Sequence, residues 1–301
     1  MPEAAPIGLP ARRQRTVGGS FELRGVGIHS GATCTARVEP AAECHGIAFV
    51  VAGVTIPAVA DCVVETTRCT TLGRDGARIG TVEHLLAALA GLCVDNAVVA
   101  VDGPELPAID GSALPWVEAI LGAGVIEQSA TAAAWSPETP EVLSVGASWY
   151  VAIPSSDLVL TCVSSFEHPM LGVCAVAHRE SAGAFARDIA PARTFGLAEE
   201  VERLLAAGLA LGGSLDNSLV VYPDRFSTPL RLPDEWARHK MLDLIGDLSL
   251  AGVRVAAAIT AICPGHQGNA AFAARLRACS AARGPRSAVR GRHRAGARLR
   301  A

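Results

Sequence analysis

The chain has 301 residues, half of them hydrophobic and 18% charged, with a formal net charge of −3. That is the composition of a globular, well-buried protein long enough for two domains or one large one. It holds no run of 18 apolar residues, which excludes a membrane-spanning helix.

Nine cysteines (34, 44, 62, 69, 93, 162, 174, 263 and 279) show no paired spacing and no CxxC, and their number is odd. The opening residues, "MPEAAPIGLPARRQRT", contain no apolar run fit for an export signal. Free thiols in a reducing cytoplasm are therefore expected. Charge is uneven: nine arginines and no carboxylate lie between Arg275 and the end, and without them the net charge falls from −3 to −12. Such a tail can touch nucleic acid or lipid phosphates. Without periodicity it cannot pack, so a solvated end over 276–301 is expected, with no nucleic-acid partner. Lys240 is the single lysine among 26 basic residues, which hints that a compact ammonium is wanted there.

In chain order, short β-runs broken by glycine occupy 17–62. A helix is predicted over 81–92, capped by Thr81 and ended by Gly91. A strand follows at 96–101, then a helix at 113–122 behind Ser112. Residues 127–141 read as a linker. The second half predicts strands at 148–153 and 157–163, a helix at 197–207, and a strand at 218–222. A helix at 235–250, a strand at 254–262 and a helix after Gly268 complete it. No internal repeat and no phosphate loop is visible. The expected fold class is α+β in two domains, 1–128 and 140–275.

The helix 81–92 is apolar nearly all round, the mark of a buried helix, so Glu83 and His84 are expected to be buried and to need partners. A metal for the imidazole and a water for the carboxylate would serve; so would a satisfied core histidine beside a surface glutamate. In "RHKMLDLIGDLSL" (238–250), His239 and Asp243 are four apart and can grip one ion, with Asp247 a further turn on. An ordinary amphipathic helix with a wet face reads the same way. Two histidines and a carboxylate with an open position match a catalytic zinc site. His266, read as a loop residue, is placed to act as a general acid at a cleft. His29 sits in a similar turn. His45, His178 and His293 read as surface residues, and His168 as a turn residue.

Taken in order, "QRTV", "GVGIHSG", "TTRCTTL", "TVEHLLAALAGLCVDNAVV", "PELPAIDGSALPWV", "FEHPMLG", "ARTFG", "GLALGGSLDNSLVV", "DEWARHKMLDLIGDLSLAG" and "GHQGN" span residues 14–269. Together they resemble the UDP-3-O-acyl-N-acetylglucosamine deacetylases, zinc hydrolases of lipid A biosynthesis. The resemblance implies two similar domains, each a sheet packed with helices in a β-α-α-β sandwich, with the active site between them. It implies zinc (iron(II) would also accept the set) on His84, His239 and Asp243, and Glu83 as general base toward a water. Thr194 would help stabilise the oxyanion, and His266, held by Asp247, would protonate the departing amine. Lys240 would meet the acylated nucleotide sugar. An insert over about 195–221 would form an acyl-chain passage, with Phe195, Leu197, His29, Gly212 and Ser214 as further substrate contacts. A monomer is expected. A zinc amidase for another N-acylated sugar, or an inactive nucleotide-sugar binder, would keep many of the same residues. Cysteine and proline before His266 depart from the family pattern, but no ligand is lost.

Overall fold

In the computed structural model, residues 11–132 and 134–282 are described. Strand alternation builds two five-stranded sheets. In Thr33–Pro40, for example, Cys34, Ala36 and Val38 are buried while the residues between them are not, the period-two pattern of a half-buried strand. The first sheet runs Phe21–Val26, Thr33–Pro40, Ala97–Val101, Ile47–Val51, Val54–Pro57. The second runs Glu141–Val145, Ser148–Pro154, Ala257–Ile262, Val159–Phe166, Gly172–Arg179.

The wiring is identical in both. Two antiparallel hairpins flank the last strand of each sheet in chain order, which pairs antiparallel with one and parallel with the other. The second five-stranded sheet thus repeats the first strand for strand, although no repeat is legible in the residues. Topology depends on where apolar side chains alternate, not on which ones they are.

Six helices complete the described residues: α1 (Glu83–Gly91), α2 (Leu114–Ala123), α3 (Ala182–Asp188), α4 (Ala198–Ala206), α5 (Glu235–Ser249) and α6 (His266–Ala281). α2 lies against the first sheet, α5 and α6 lie against the second, and α1 packs on both α2 and α5. The layers therefore run sheet, helices, helices, sheet, around one apolar core that both halves share. This is the expected α+β architecture of two similar halves.

Several local expectations are corrected. Thr81 does not cap α1: its φ is +56°, and its hydroxyl donates to Glu105 Oε1 at 2.8 Å instead. Gly91 is the last residue of α1, but its φ is not left-handed; a Cβ there would lie 2.3 Å from the Phe185 ring, so packing demands the glycine. The linker 127–141 is largely strand, because Val125–Thr131 pairs with Arg13–Val17 and Ala134–Trp135 with Arg254–Val255. The single strand predicted at 254–262 is consequently divided between two sheets. α3, opened by the Ser181 side chain accepting from the Ala184 amide, is an element beyond those expected.

His178 is buried, facing inward beside Leu160 and 6.3 Å from the Phe185 ring, rather than on the surface. His168 does sit in a turn, its carbonyl accepting from Leu171 and its Nδ1 from Met170. The solvated end expected over 276–301 begins too early. α6 continues to Ala281, Leu276 is fully buried, and Arg277 pairs with Asp61 at 3.2 Å. The rest of that segment, with His293, lies outside the described residues. All nine cysteines are free. No helix among the described residues is long and apolar enough to cross a membrane.

The two halves touch backbone to backbone where α5 crosses α1. A Cβ on Gly246 would lie 2.1 Å from the Glu83 carbonyl oxygen. Gly246→Ala should therefore destabilise the fold by about 1–3 kcal/mol, because neither backbone can yield cheaply. Urea denaturation of wild type and variant checks this.

Candidate metal centre and proton relay

α1 starts with Glu83 and His84, so both side chains leave the same end of the helix. α5 carries His239, Asp243 and Asp247 one turn apart on its buried side. Where the helices cross, Asp243 Oδ1 lies 3.3 Å from His239 Nε2 and 3.9 Å from His84 Nε2. The two imidazoles meet edge to face, 5.0 Å between centroids.

The protons on these groups can be assigned. His239 Nδ1 lies 3.0 Å from the Ala192 carbonyl oxygen, which only accepts, so Nδ1 carries the proton and Nε2 presents a lone pair. Burial lowers the pKa of both imidazoles, and the neighbouring His239 ring pushes His84 further down, to about 3, so a proton on either ring is disfavoured. Burial pushes the Asp243 carboxyl up, but Lys240 and the surrounding histidines outweigh it and hold it well below the usual carboxylate range. Its Oδ2 accepts from Lys240 Nζ at 2.8 Å, while its buried Oδ1 has no hydrogen-bond partner. An anionic oxygen and a bare imidazole nitrogen thus face each other with no proton between them. The three donor atoms lie within 4.8 Å of one another, and this donor set fits a divalent cation.

Beside the triad sits a relay. Asp247 is fully buried; its Oδ2 accepts from His266 Nδ1 at 3.0 Å and Asn269 Nδ2 at 2.9 Å, and its Oδ1 from Thr70 Oγ1 at 2.6 Å. His266 is the first residue of α6, not a loop residue as expected. A helix N-terminus disfavours a cation. Burial also pulls the His266 pKa down, yet Asp247, Glu83 and Asp243 outweigh it and hold it up to about 9. His266 Nε2 points toward Glu83 Oε1 and Asp243 Oδ2, 4.0 Å from each. Glu83 Oε2 accepts from the Thr70 amide at 3.0 Å, and burial raises its pKa against the opposing His266 charge.

The other residues singled out from sequence are placed as follows. Thr194 lies between Ala192, bonded to His239, and Phe195, whose ring is 6.3 Å from that of His239. Its amide donates to Gly111 and its carbonyl accepts from Leu219. Lys240 is engaged by Asp243. The His29 amide donates to Glu105 at 3.0 Å, while its Nδ1 is buried without a partner. Leu197 ends a strand paired with Leu219–Val221. Gly212 donates to the Ile28 carbonyl and has no room for a Cβ, and Ser214 closes a turn on Asp216 and Ser218. These last two hold the 195–221 segment to the 27–31 turn and to itself.

Sequence reasoning missed Thr70, Asn269 and Ala192. Thr70 and Asn269 lie inside the quoted motifs "TTRCTTL" and "GHQGN". A threonine that uses its amide on one catalytic candidate and its hydroxyl on another leaves no periodic signal.

Fold and site define a class of protein: two similar α+β halves around a buried triad that could hold a metal ion, flanked by a carboxylate and a charged imidazole. Comparison with known proteins narrows it. The family described as LpxC, UDP-3-O-acyl N-acetylglycosamine deacetylase, matches residues 14–278. A UDP-3-O-acyl-N-acetylglucosamine deacetylase of Myxococcus xanthus is 45% identical over 84% of this chain and 82% of its own length. Its namesakes from an Anaeromyxobacter species (43%, 86% of both chains) and Pasteurella multocida (41%, 84% of this chain and 86% of its own) are similar. The chain belongs to the UDP-3-O-acyl-N-acetylglucosamine deacetylase family, whose members hydrolyse an amide.

A buried pair anchors the wall of the site. Arg193 binds Glu235 through Nε (2.7 Å) and Nη2 (3.1 Å), and the Arg193 and Arg231 amides also donate to that carboxylate. Burial raises the Glu235 pKa, but these bonds outweigh it and lower it overall. A depressed carboxylate stabilises above its unfolded pKa of about 4.3 and loses that contribution as pH falls through the folded value. Glu235→Gln should cost about 3–5 kcal/mol at neutral pH, because it strands a buried guanidinium. The difference from wild type should shrink in acid, as urea titrations at neutral pH and at about pH 3 would show.

Proposed function

We propose that the chain hydrolyses the acetamide of UDP-3-O-acyl-N-acetylglucosamine, releasing acetate and the free glucosamine amine, a step of lipid A biosynthesis. The reading rests on one observation: His84, the bare Nε2 of His239 and the orphaned Oδ1 of Asp243 converge beside Glu83 and His266. These three residues would hold a zinc ion, with iron(II) acceptable to the same donors. When bound, the ion supplies a Lewis acid for the amide carbonyl and for water.

The chain's own groups do the rest. Glu83, fixed at Oε2 by the Thr70 amide, leaves Oε1 free to take a proton from the attacking water. His266 stands across from it with its proton-bearing Nε2 exposed to the same space, ready to steady the developing charge and then protonate the leaving amine. Asp247 fixes the ring by binding Nδ1 and keeps it cationic. Lys240 neutralises Asp243 Oδ2 and so leaves Oδ1 to the cation; this positioning role stands beside any contact with substrate. Thr194 would offer its hydroxyl to the oxyanion from the wall that carries Phe195.

The site lies between an N-terminal half (1–128) and a C-terminal half (140–275), and the insert over about 195–221 would carry the acyl chain. What supports this is the character of the insert: α4 buries none of its side chains, and Leu205 and Leu211 are 47% and 56% exposed. Leu197, Gly212 and Ser214 lie within that segment, and His29 borders it, its carbonyl accepting from the Leu211 amide. Free thiols fit a reducing compartment, the cytoplasm.

Purified protein should contain about one metal ion per chain and release acetate from the acylated nucleotide sugar. Glu83→Ala should keep the metal and lose about 10²–10⁴-fold in turnover, since a base and not a ligand is removed. His239→Ala should lose both. Elemental analysis alongside acetate release tests the three proteins together; a Glu83→Ala enzyme near full activity would refute the assignment.

A further inference from the structure

Outside the metal triad and the relay, one buried carboxylate gathers bonds from two distant parts of the chain. Glu105 is 4% exposed and lies in the loop after Ala97–Val101. Its backbone is clamped to Gly80: the Gly80 amide donates to the Pro104 carbonyl and the Leu106 amide to the Gly80 carbonyl. Its Oε1 accepts from Thr81 Oγ1 at 2.8 Å and from the His29 amide at 3.0 Å, and its Oε2 accepts from the Ser30 amide at 2.7 Å. Burial pushes this carboxyl up, but the bonds from Ser30, His29 and Thr81 outweigh it and lower its pKa overall. Both oxygens are engaged by donors of the chain itself, which suits holding rather than proton transfer.

Each partner leads somewhere. His29 and Ser30 belong to the turn 27–31, which joins Phe21–Val26 to Thr33–Pro40. The Ile28 and His29 carbonyls of that turn accept from the Gly212 and Leu211 amides of the 195–221 segment, at 3.1 and 3.2 Å. The fit is close: a Cβ on Gly31 would lie 3.2 Å from the Leu211 side chain, and one on Gly212 would run into the Gly27 carbonyl. A segment of the second half thus docks on a turn of the first, and the amides of that turn dock on Glu105. Thr81 stands two residues before Glu83. Its φ of +56° is a costly conformation for a β-branched residue. The bond from its hydroxyl to Glu105 helps to hold that conformation, and with it the entry into α1.

We propose that Glu105 is a positioning residue for substrate selection: it locks the 27–31 turn to the catalytic end of α1, and so sets the 195–221 segment at a fixed distance from Glu83 and His84. The inference rests on the reading of that segment as the passage for the acyl chain. A substrate whose amide sits at the triad and whose chain lies in the passage is gripped at two points. It binds well only if the spacing between them is constant, since a small misplacement of either grip costs binding. A substrate with a short chain is gripped at one point and does not sense that spacing.

The test compares the acylated nucleotide sugar with its counterpart carrying a short acyl chain. Glu105→Ala takes the acceptor from all three donors. It should lower kcat/KM for the long-chain substrate by about 10–100-fold, chiefly through KM, and for the short-chain one by less than about threefold. Gly27→Ala approaches from the other side. Its Cβ would run into Glu105 Oε2 and Ser30 Oγ, so it should displace the turn and give the same selective loss in a chain that keeps Glu105. Glu105→Gln keeps an oxygen for the two amides, and its side-chain amide can donate to the Thr81 hydroxyl, so most of the preference should return. Isothermal titration with a long-chain fatty acid reads the passage without turnover; binding should weaken in the first two variants and not in the third. Losses equal for both chain lengths in either of the first two variants, or an unchanged preference in Glu105→Ala, overturn the proposal, while acetate release by wild type would leave the assigned reaction standing. A wild type that releases no acetate, with fatty-acid binding still dependent on Glu105, would overturn the reaction and uphold the positioning role.

Discussion

Everything in the site depends on one close approach, the backbone of α5 against the backbone of α1 at Gly246 and Glu83. Neither helix has a complete constellation. α1 contributes a carboxylate and one imidazole; α5 contributes an imidazole and two carboxylates. Only a crossing without an intervening side chain brings His84 Nε2 within 3.9 Å of Asp243 Oδ1. The duplicated architecture explains why two helices meet there at all. Each half lays its helices on one sheet, and stacking the helix layers buries an apolar surface that neither half could bury alone. The residues at the seam then occupy a dry space, where each charge is expensive unless answered.

The answers form a chain. Lys240 neutralises Asp243 through Oδ2, and Asp243 turns Oδ1 toward two neutral imidazoles. Asp247 answers His266, and His266 in turn faces Glu83. Thr70 bonds one oxygen of Glu83 and one of Asp247, and Asn269 adds a second bond to Asp247. Asp243 Oδ1 is buried with no hydrogen-bond partner and faces the two imidazoles. A buried anionic oxygen left bare in this way is what a bound cation would answer. His266 illustrates the cost of function: a positive ring at a helix N-terminus, tolerated because Asp247 lies 3.0 Å away.

The sequence disclosed the parts that rest on period and spacing. The apolar surround of α1 implied that Glu83 and His84 are buried, and the four-residue interval of His239 and Asp243 put them on one stripe; both hold. Roles came from the resemblance, not from those patterns, which an ordinary core would also show. What stayed illegible was tertiary. Polar residues at 127–141 looked like a linker because strand pairing with Arg13–Val17 leaves no local mark. The duplication hid because the halves share alternation and not residues. Thr81 carried a capping signal, and Glu105 claimed its hydroxyl instead.

The central claim is that a cation completes a set of three donors drawn from both halves. Anomalous X-ray diffraction at the zinc edge, on crystals of protein purified with its metal, addresses it directly. The account predicts a single strong peak enclosed by His84 Nε2, His239 Nε2 and Asp243 Oδ1. Diffraction showing that space empty, with the metal bound elsewhere or not at all, would contradict it.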